Sequence, residues 1–243
     1  VKPEISVVIP AYNEGDTIVS CLDQLTPELP TAAEILVVYD TAEDTTAPFV
    51  TEYAAKDARV RGVLNTYGRG PANAIRFGLD AAAAPVGVVT MADLSDDFSQ
   101  IPTLAGLVTD DVVIAAASRY MRGGRQIGAP LLKRTLSRLA GLTLYWFGRV
   151  GTRDATNSFK AYSTDFVRTV GIESRNGFEL GIELVAKARR NRRGVVEIPT
   201  IWQERDEGES RFRLFKWIPM YLRWYFYALG RRVPKNSTVK GKP

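Results

Sequence analysis

The chain has 243 residues, 45% of them hydrophobic and 24% charged, and a formal net charge of +5. That is enough apolar material for one sizeable core, or for one domain with an appendage. With one cysteine and no histidine, an internal disulfide framework, Cys/His zinc sites and Ser-His-Asp or Cys-His catalysis are all excluded, so any chemistry must run on carboxylates, a metal held by oxygen ligands, or a substrate already ionised.

Val1-Lys2-Pro3-Glu4 opens without a signal-peptide pattern into a β-rich run, Ile5–Pro10. The turn Tyr12-Asn13-Glu14-Gly15-Asp16 starts a helix over Thr17–Leu25, in which Cys21 reads as buried filler. Ile35–Tyr39 is a second strand, Ala47–Lys56 a second helix and Val60–Asn65 a third strand. An Ala-rich helix is predicted over Gly70–Ala84, a fourth strand over Val86–Met91 and another over Val112–Ser118. Strands and helices alternating through short connections imply an α/β fold with a mostly parallel central sheet and helices on both faces.

Beyond Arg119 the pattern changes. Met121–Gly128 is rich in Gly and Arg and reads as a mobile loop. Pro130–Gly148 reads as one helix, with Leu132, Leu136, Leu139, Leu142 and Trp146 as a core-facing stripe; Lys133, Arg134 and Arg138 on its polar side keep a membrane-surface reading open. Val195–Ile201 is a late strand, and Leu214–Leu229 a final helix that Pro219 breaks or kinks. No apolar run reaches the ~18 residues of a membrane span, and a cytoplasmic protein is expected.

The candidate chemistry lies at the strand ends, where open α/β sheets hold ligands. After the first strand, Tyr12 can face a nucleobase and Glu14 can accept from a ribose hydroxyl; after the second, Asp40 can accept from a base N–H. The fourth strand ends in Asp93, Asp96 and Asp97. These are hard oxygen ligands suited to Mg²⁺ or Mn²⁺ carrying a diphosphate, or else aspartates of a solvated loop that cap the next helix.

Together these segments resemble a known family. Val7-Val8-Ile9-Pro10-Ala11-Tyr12-Asn13-Glu14 is similar to the opening of the inverting family 2 glycosyltransferases, and Met91-Ala92-Asp93 falls where that family has Asp-x-Asp. Ala117-Ser118-Arg119-Tyr120, Asp154 to Tyr162 and Arg205 to Arg211 resemble three later blocks of its polyprenol-phosphate branch, which includes dolichol-phosphate mannose synthases. The resemblance implies a GT-A fold over residues 1–210, a nucleotide-diphosphate sugar as donor and a polyprenyl phosphate as acceptor. It places Pro10, Tyr12, Glu14 and Asp40 on the nucleoside, and Arg205 and Lys216 on the donor phosphates. Asp93 would reach metal and diphosphate, with Asp96 and Asp97 as further ligands, and Arg119, Arg134 and Ser137 would receive the acceptor phosphate. Three positions depart from the family's pattern: Met91 and Tyr39 stand where it has Asp, and Ser158 where it has Gly.

From Arg211 to Pro243 there are nine Lys or Arg and no Asp or Glu, which leaves residues 1–210 at a net −4. Eight aromatics are mixed with the bases between Arg211 and Arg232. Residues 211–234 are therefore expected to form an amphipathic interfacial segment on an anionic membrane surface, with 235–243 a disordered tail. No nucleic-acid module precedes this segment, and no nucleic-acid partner is expected. Two other functions remain open at this stage. One is transfer to a hydroxyl acceptor with Asp154 as base; the other is a non-catalytic binder of nucleotide sugar or lipid phosphate.

Overall fold

The computed structural model describes residues 2–128, 130–203 and 214–230, leaving out the side chains of residues 132, 133 and 214–217. The chain begins with β1 (Ile5–Pro10), α1 (Thr17–Leu25), β2 (Ala33–Tyr39), α2 (Thr46–Lys56), β3 (Val60–Leu64), α3 (Pro71–Ala81) and β4 (Val86–Val89). It continues through α4 (Ile101–Gly106), β5 (Val112–Ser118), β6 (Arg125–Ile127) and α5 (Leu131–Thr143) to a π-helical turn, Leu144–Gly148. β7 (Lys160–Ser163), α6 (Thr164–Val170), α7 (Leu180–Arg190), β8 (Gly194–Pro199), β9 (Ile201–Gln203) and α8 (Leu214–Ala228) follow.

Seven strands form one sheet in the order β3-β2-β1-β4-β7-β5-β8, and β6 pairs with β9 in a separate two-stranded sheet. β1 is buried along its whole length and pairs in parallel with β2 (Ile5↔Ala33) and β4 (Ile5↔Val86), as an apolar strand covered on both faces must be. Side chains alternate between two cores. Val8, Leu36 and Val38 join Ile75, Leu79 and Leu184 under α3 and α7, whereas Val7, Ile9, Ile35 and Val37 join Ile18, Leu22 and Ile101 under α1 and α4. β7 alone runs antiparallel, between β4 and β5. Its start therefore lies at the edge where the other six strands end, and all seven strands bring polar segments to one rim.

Several elements differ from the sequence reading, each for a physical reason. The third helix stops at Ala81, not Ala84, because the buried Glu34–Ser6 pair captures the next amides: Ala83 N donates to Glu34 Oε1 (2.5 Å) and Ala84 N to Ser6 Oγ (3.0 Å). Met121–Gly128 is not simply loop, since β6 forms within it and pairs in parallel with β9 (Gln126↔Trp202). The helix predicted to Gly148 turns π-helical after Thr143 and ends at Arg149, which has φ 52°. Its predicted core stripe is overturned most clearly. Leu136, Leu139 and Trp146 are 42%, 55% and 68% exposed, and Leu131 and Phe147 lie beside them at 78% and 77%.

α8, within the segment expected to be amphipathic, packs one face on the domain. Trp224 and Ala228 are buried in the core beneath α7, with Tyr221, Tyr225 and Tyr227 packed partly against it. Lys187 lies over the Trp224 ring, and Arg223 donates to Glu173 (2.9 Å). Leu222, Phe226 and Leu229 face outward. The expected tail over 235–243 lies outside the described residues, and no described helix is long and apolar enough to cross a membrane.

Candidate active site

The rim divides into a carboxylate-rich half over β1–β4 and an arginine-rich half over β5–β7. In the first half, β1 ends at Pro10, and the turn after it is stapled to the start of α2. Asn13 N donates to both oxygens of Asp44 (3.1 Å each), Glu14 N to Thr46 Oγ1 (3.1 Å) and Thr46 N to Asp44 Oδ1 (2.9 Å). This fixes Tyr12, 52% exposed, and half-buried Glu14 at the rim. Asp40 is also held on both oxygens: Asn65 Nδ2 donates to Oδ1 and Gly70 N to Oδ2, each at 2.7 Å. Gly70 stands at φ 116°, a backbone state that residues with a side chain rarely adopt. Asn65 was not among the predicted site residues, although its place as a polar residue ending a strand is the same signal that singled out Asp40.

The three aspartates after β4 diverge, which corrects the expectation of a shared metal set. Asp96 turns inward and accepts from Thr90 Oγ1 (2.9 Å) and Met91 N (3.3 Å); burial and the nearby Asp93 charge push its carboxyl up to about 7. Asp97 accepts from the amide and hydroxyl of Ser99 and caps the 3-10 turn that follows, so the capping reading holds there. Among the described residues, no group of three or more His, Cys, Asp or Glu is gathered to hold a metal. Asp93 is half-buried at the rim and accepts from Ser95 N (3.1 Å). One carboxylate suffices for Mg²⁺ or Mn²⁺ when substrate phosphates supply the other ligands, and on that basis Asp93 fits a metal arriving with a diphosphate.

In the second half, β5 delivers Arg119 against the turn that leads into β7. Arg119 Nε and Nη2 donate to Asp154 Oδ2 (2.7 Å) and Oδ1 (2.9 Å), and Nη2 also donates to Thr156 Oγ1 (3.2 Å). Tyr120 and Trp202 flank the guanidinium, their ring centroids 5.2 and 6.0 Å from Cζ. Burial is the largest single influence and works to raise the Asp154 carboxyl, but the Arg119 charge, the hydrogen bonds from Arg119 and the nearby Lys160 together hold the group below the usual carboxylate range. A fully buried carboxylate locked to arginine lacks the basicity of a general base, so the hydroxyl-acceptor role given to Asp154 is not supported. Lys160, also fully buried, donates to the carbonyls of Ala155 and Asn157, and burial pulls its ammonium down to about 7.

A cavity of about 290 Å³ opens beside Arg119, with Arg125 on β6 and Arg134 and Arg138 on α5 completing a cationic lining that contains no acid among the described residues. Ser137 is not part of it: its hydroxyl is engaged by Tyr120 and by the carbonyl of Arg134 (3.2 Å). Arg125 and Arg138 take its place in the lining, and sequence reasoning missed both as site residues because their convergence depends on the β6–β9 pairing. β9 also reaches the first half of the rim, since Gln203 N donates to Ser95 O (3.4 Å). α5 sits flush on the Asp154 turn. A Cβ on Gly141 would fall far inside contact with the carbonyl oxygen of Arg153. Arg205 lies outside the described residues; Lys216 falls in the first turn of α8, where side chains are not described.

A family model described as Glycosyl transferase family 2 matches residues 6–171. The undecaprenyl-phosphate mannosyltransferase of Micrococcus luteus is 28% identical over 214 residues, which are 85% of this chain and 86% of that protein. The dolichol-phosphate mannosyltransferase of Pyrococcus furiosus is 29% identical over 93% of this chain and 63% of its own length; that of Saccharomyces cerevisiae is 27% identical over 86% and 80%. Among solved structures, glucosyl-3-phosphoglycerate synthase from Mycobacterium tuberculosis, in complex with Mn²⁺, UDP and glucosyl-3-phosphoglycerate, superposes with a TM-score of 0.69 at 17% identity. That superposition covers 96% of this chain and 82% of the other, and the fold is GT-A.

Proposed function

The chain belongs to glycosyltransferase family 2, and from that membership we propose that it moves a sugar from a nucleotide-diphosphate sugar to a polyprenyl phosphate, with inversion. The carrying observation is the arginine-lined cavity next to a carboxylate-rich rim. GDP-mannose is the first donor to test, because relatives over most of the chain are named for mannosyl transfer to lipid phosphates.

The chemistry suits a protein with no histidine. A phosphate monoester is ionised at neutral pH, so its oxygen can attack the anomeric carbon without a base. The new C–O bond forms as the bond to the nucleoside diphosphate breaks, in one in-line displacement. Tyr12, Glu14 and Asp40 hold the nucleoside, and Pro10 shapes the start of that turn. Arg119 and Arg134 receive the attacking phosphate through charge-assisted hydrogen bonds and orient it. Nη1 of Arg119 makes no hydrogen bond within the described protein, and so remains for an acceptor oxygen. Arg205 and Lys216 are assigned to the donor phosphates. Asp93 would hold Mg²⁺ or Mn²⁺, which when bound offsets the charge on the departing diphosphate.

A lipid-borne acceptor requires a membrane surface. Exposed Leu131, Leu136, Leu139, Trp146 and Phe147 lie on the helix and turn that border the cavity, in the company of Arg134 and Arg138. Apolar side chains flanked by bases suit peripheral docking on the cytoplasmic face of an anionic bilayer.

The test uses metal-stripped protein, vesicles bearing polyprenyl phosphate and a panel of labelled nucleotide sugars. Lipid-extractable label from one donor, dependent on Mg²⁺ or Mn²⁺ and lost in Asp93→Asn, is the expected result. No label from any donor, with nucleotide still bound, would return the protein to the non-catalytic class that Met91 and Tyr39 brought into view.

A further inference from the structure

The cavity carries more positive charge than one acceptor phosphate requires. Arg119 is already balanced by Asp154. Arg125, Arg134 and Arg138 line one cavity and have no acidic partner among the described residues. A phosphate monoester brings a charge of only about −1.5 to −2 at pH 7.

The arrangement is also costly without an anion. Arg134 and Arg138 are four residues apart on α5, a like-charge spacing that destabilises a helix by a few tenths of a kcal/mol. Arg134 stands in the opening turns of that helix, where the macrodipole disfavours cations. Arg125 comes from a different element, β6, whose place is fixed by its amide donating to Thr200 O (2.9 Å) and by pairing with β9. The space is large as well: at about 30 Å³ per water in the liquid, a cavity of about 290 Å³ has room for far more than one phosphate group.

We propose that Arg125 and Arg138 form a second phosphate position beside the acceptor phosphate, so that the pocket takes a diphosphate monoester as a competing ligand. This rests on the acceptor assignment above. It adds a ligand class, the diphosphate headgroup, that transfer itself does not use. Bound there, a diphosphate occupies the attacking group's place and holds the protein idle, with no bond made or broken.

Calorimetric titration of the full chain in EDTA, where a metal-dependent donor site is silent, tests the second position. The probes are inorganic phosphate, inorganic diphosphate and geranyl diphosphate. Inorganic diphosphate is expected to bind at least tenfold more tightly than phosphate. Arg125→Gln and Arg138→Gln should each remove most of that advantage while changing phosphate affinity less than threefold, and Arg134→Gln should weaken both anions. Melting temperatures of the variants within a few degrees of the parent exclude misfolding as the cause. Equal affinity for the two inorganic anions, or equal losses for both in Arg125→Gln and Arg138→Gln, would overturn the second position. Tighter binding of geranyl diphosphate would mark a lipid headgroup as the source, whereas parity with inorganic diphosphate would mark the free anion. These titrations read the pocket whether or not vesicles accept sugar, so failure of the transfer reading and failure of this one are separable.

Discussion

The two halves of the rim hold their polar groups in place by different means. Over β1–β4, carboxylates are fixed by neutral donors: Asp44 accepts from the amides of Asn13 and Thr46, and Asp40 from Asn65 and Gly70. Over β5–β7 the work is done by opposed full charges, Arg119 on Asp154 with Lys160 nearby, beside a cavity whose described lining is rich in arginine. The first half is a scaffold of many small, separable interactions. The second concentrates its energy in one buried ion pair, where losing one partner strands the other.

Breaking that pair gives the largest expected effect. Asp154→Asn leaves Arg119 buried without its counter-charge, and unfolding in urea should show a loss of about 3–5 kcal/mol together with loss of sugar transfer. A change under 1 kcal/mol would contradict the contrast just drawn. On the other half, Asp44→Ala orphans the amides of Asn13 and Thr46 and should cost about 1–3 kcal/mol, with a raised donor KM as Tyr12 and Glu14 lose their footing. If it proved as damaging as Asp154→Asn, the two halves would not differ in kind.

The subtlest test is the pH dependence of the buried charges. Lys160 sheds its proton near 7 in the folded chain, while the unfolded chain keeps it into the ordinary lysine range. Between about 7 and 9 the unfolded state therefore binds more protons, and stability should rise with pH, by no more than about 1.4 kcal/mol per unit. Asp96, with its carboxyl raised to about 7, acts oppositely on the acid side: its contribution is full below the unfolded carboxylate value and is lost as pH climbs toward 7. Thermal melts of Lys160→Met across pH 7–9 should be flatter than those of the parent. An unchanged slope would remove Lys160 from the charged array.

Legibility in the sequence follows the same division. The β1–β4 half could be read because β1, β2 and β4 are largely apolar buried runs, and each strand is followed by polar residues. Asp40, Glu14 and Asp93 lie on the rim as that rule expects, and Asn65 obeys it too. The arginine half could not be read this way. β6 is three residues long and exists only because β9 pairs with it. β7 is four residues, Lys160–Ser163, and begins with a buried lysine that no hydrophobic pattern announces. The spacing of Leu136, Leu139 and Trp146 gave a true helical face but the wrong neighbour, since periodicity shows that a stripe exists and not what lies against it. Asp96 and Asp97 shared a segment with Asp93, yet one hydrogen bond to Thr90 and one cap on Ser99 turned them away from it.

One glycine gives the arginine half a mechanical property. Gly141 lets α5 rest directly on the Arg153–Asp154 turn, with no thickness to spare. A methyl group there would act as a shim, lifting the helix that carries Arg134 and Arg138 while Arg119 stayed behind on its strand. Displacements near 1 Å in a reacting geometry can slow a reaction about 100-fold. If the proposed transfer takes place, Gly141→Ala should therefore slow it, although the residue lies outside the cavity lining.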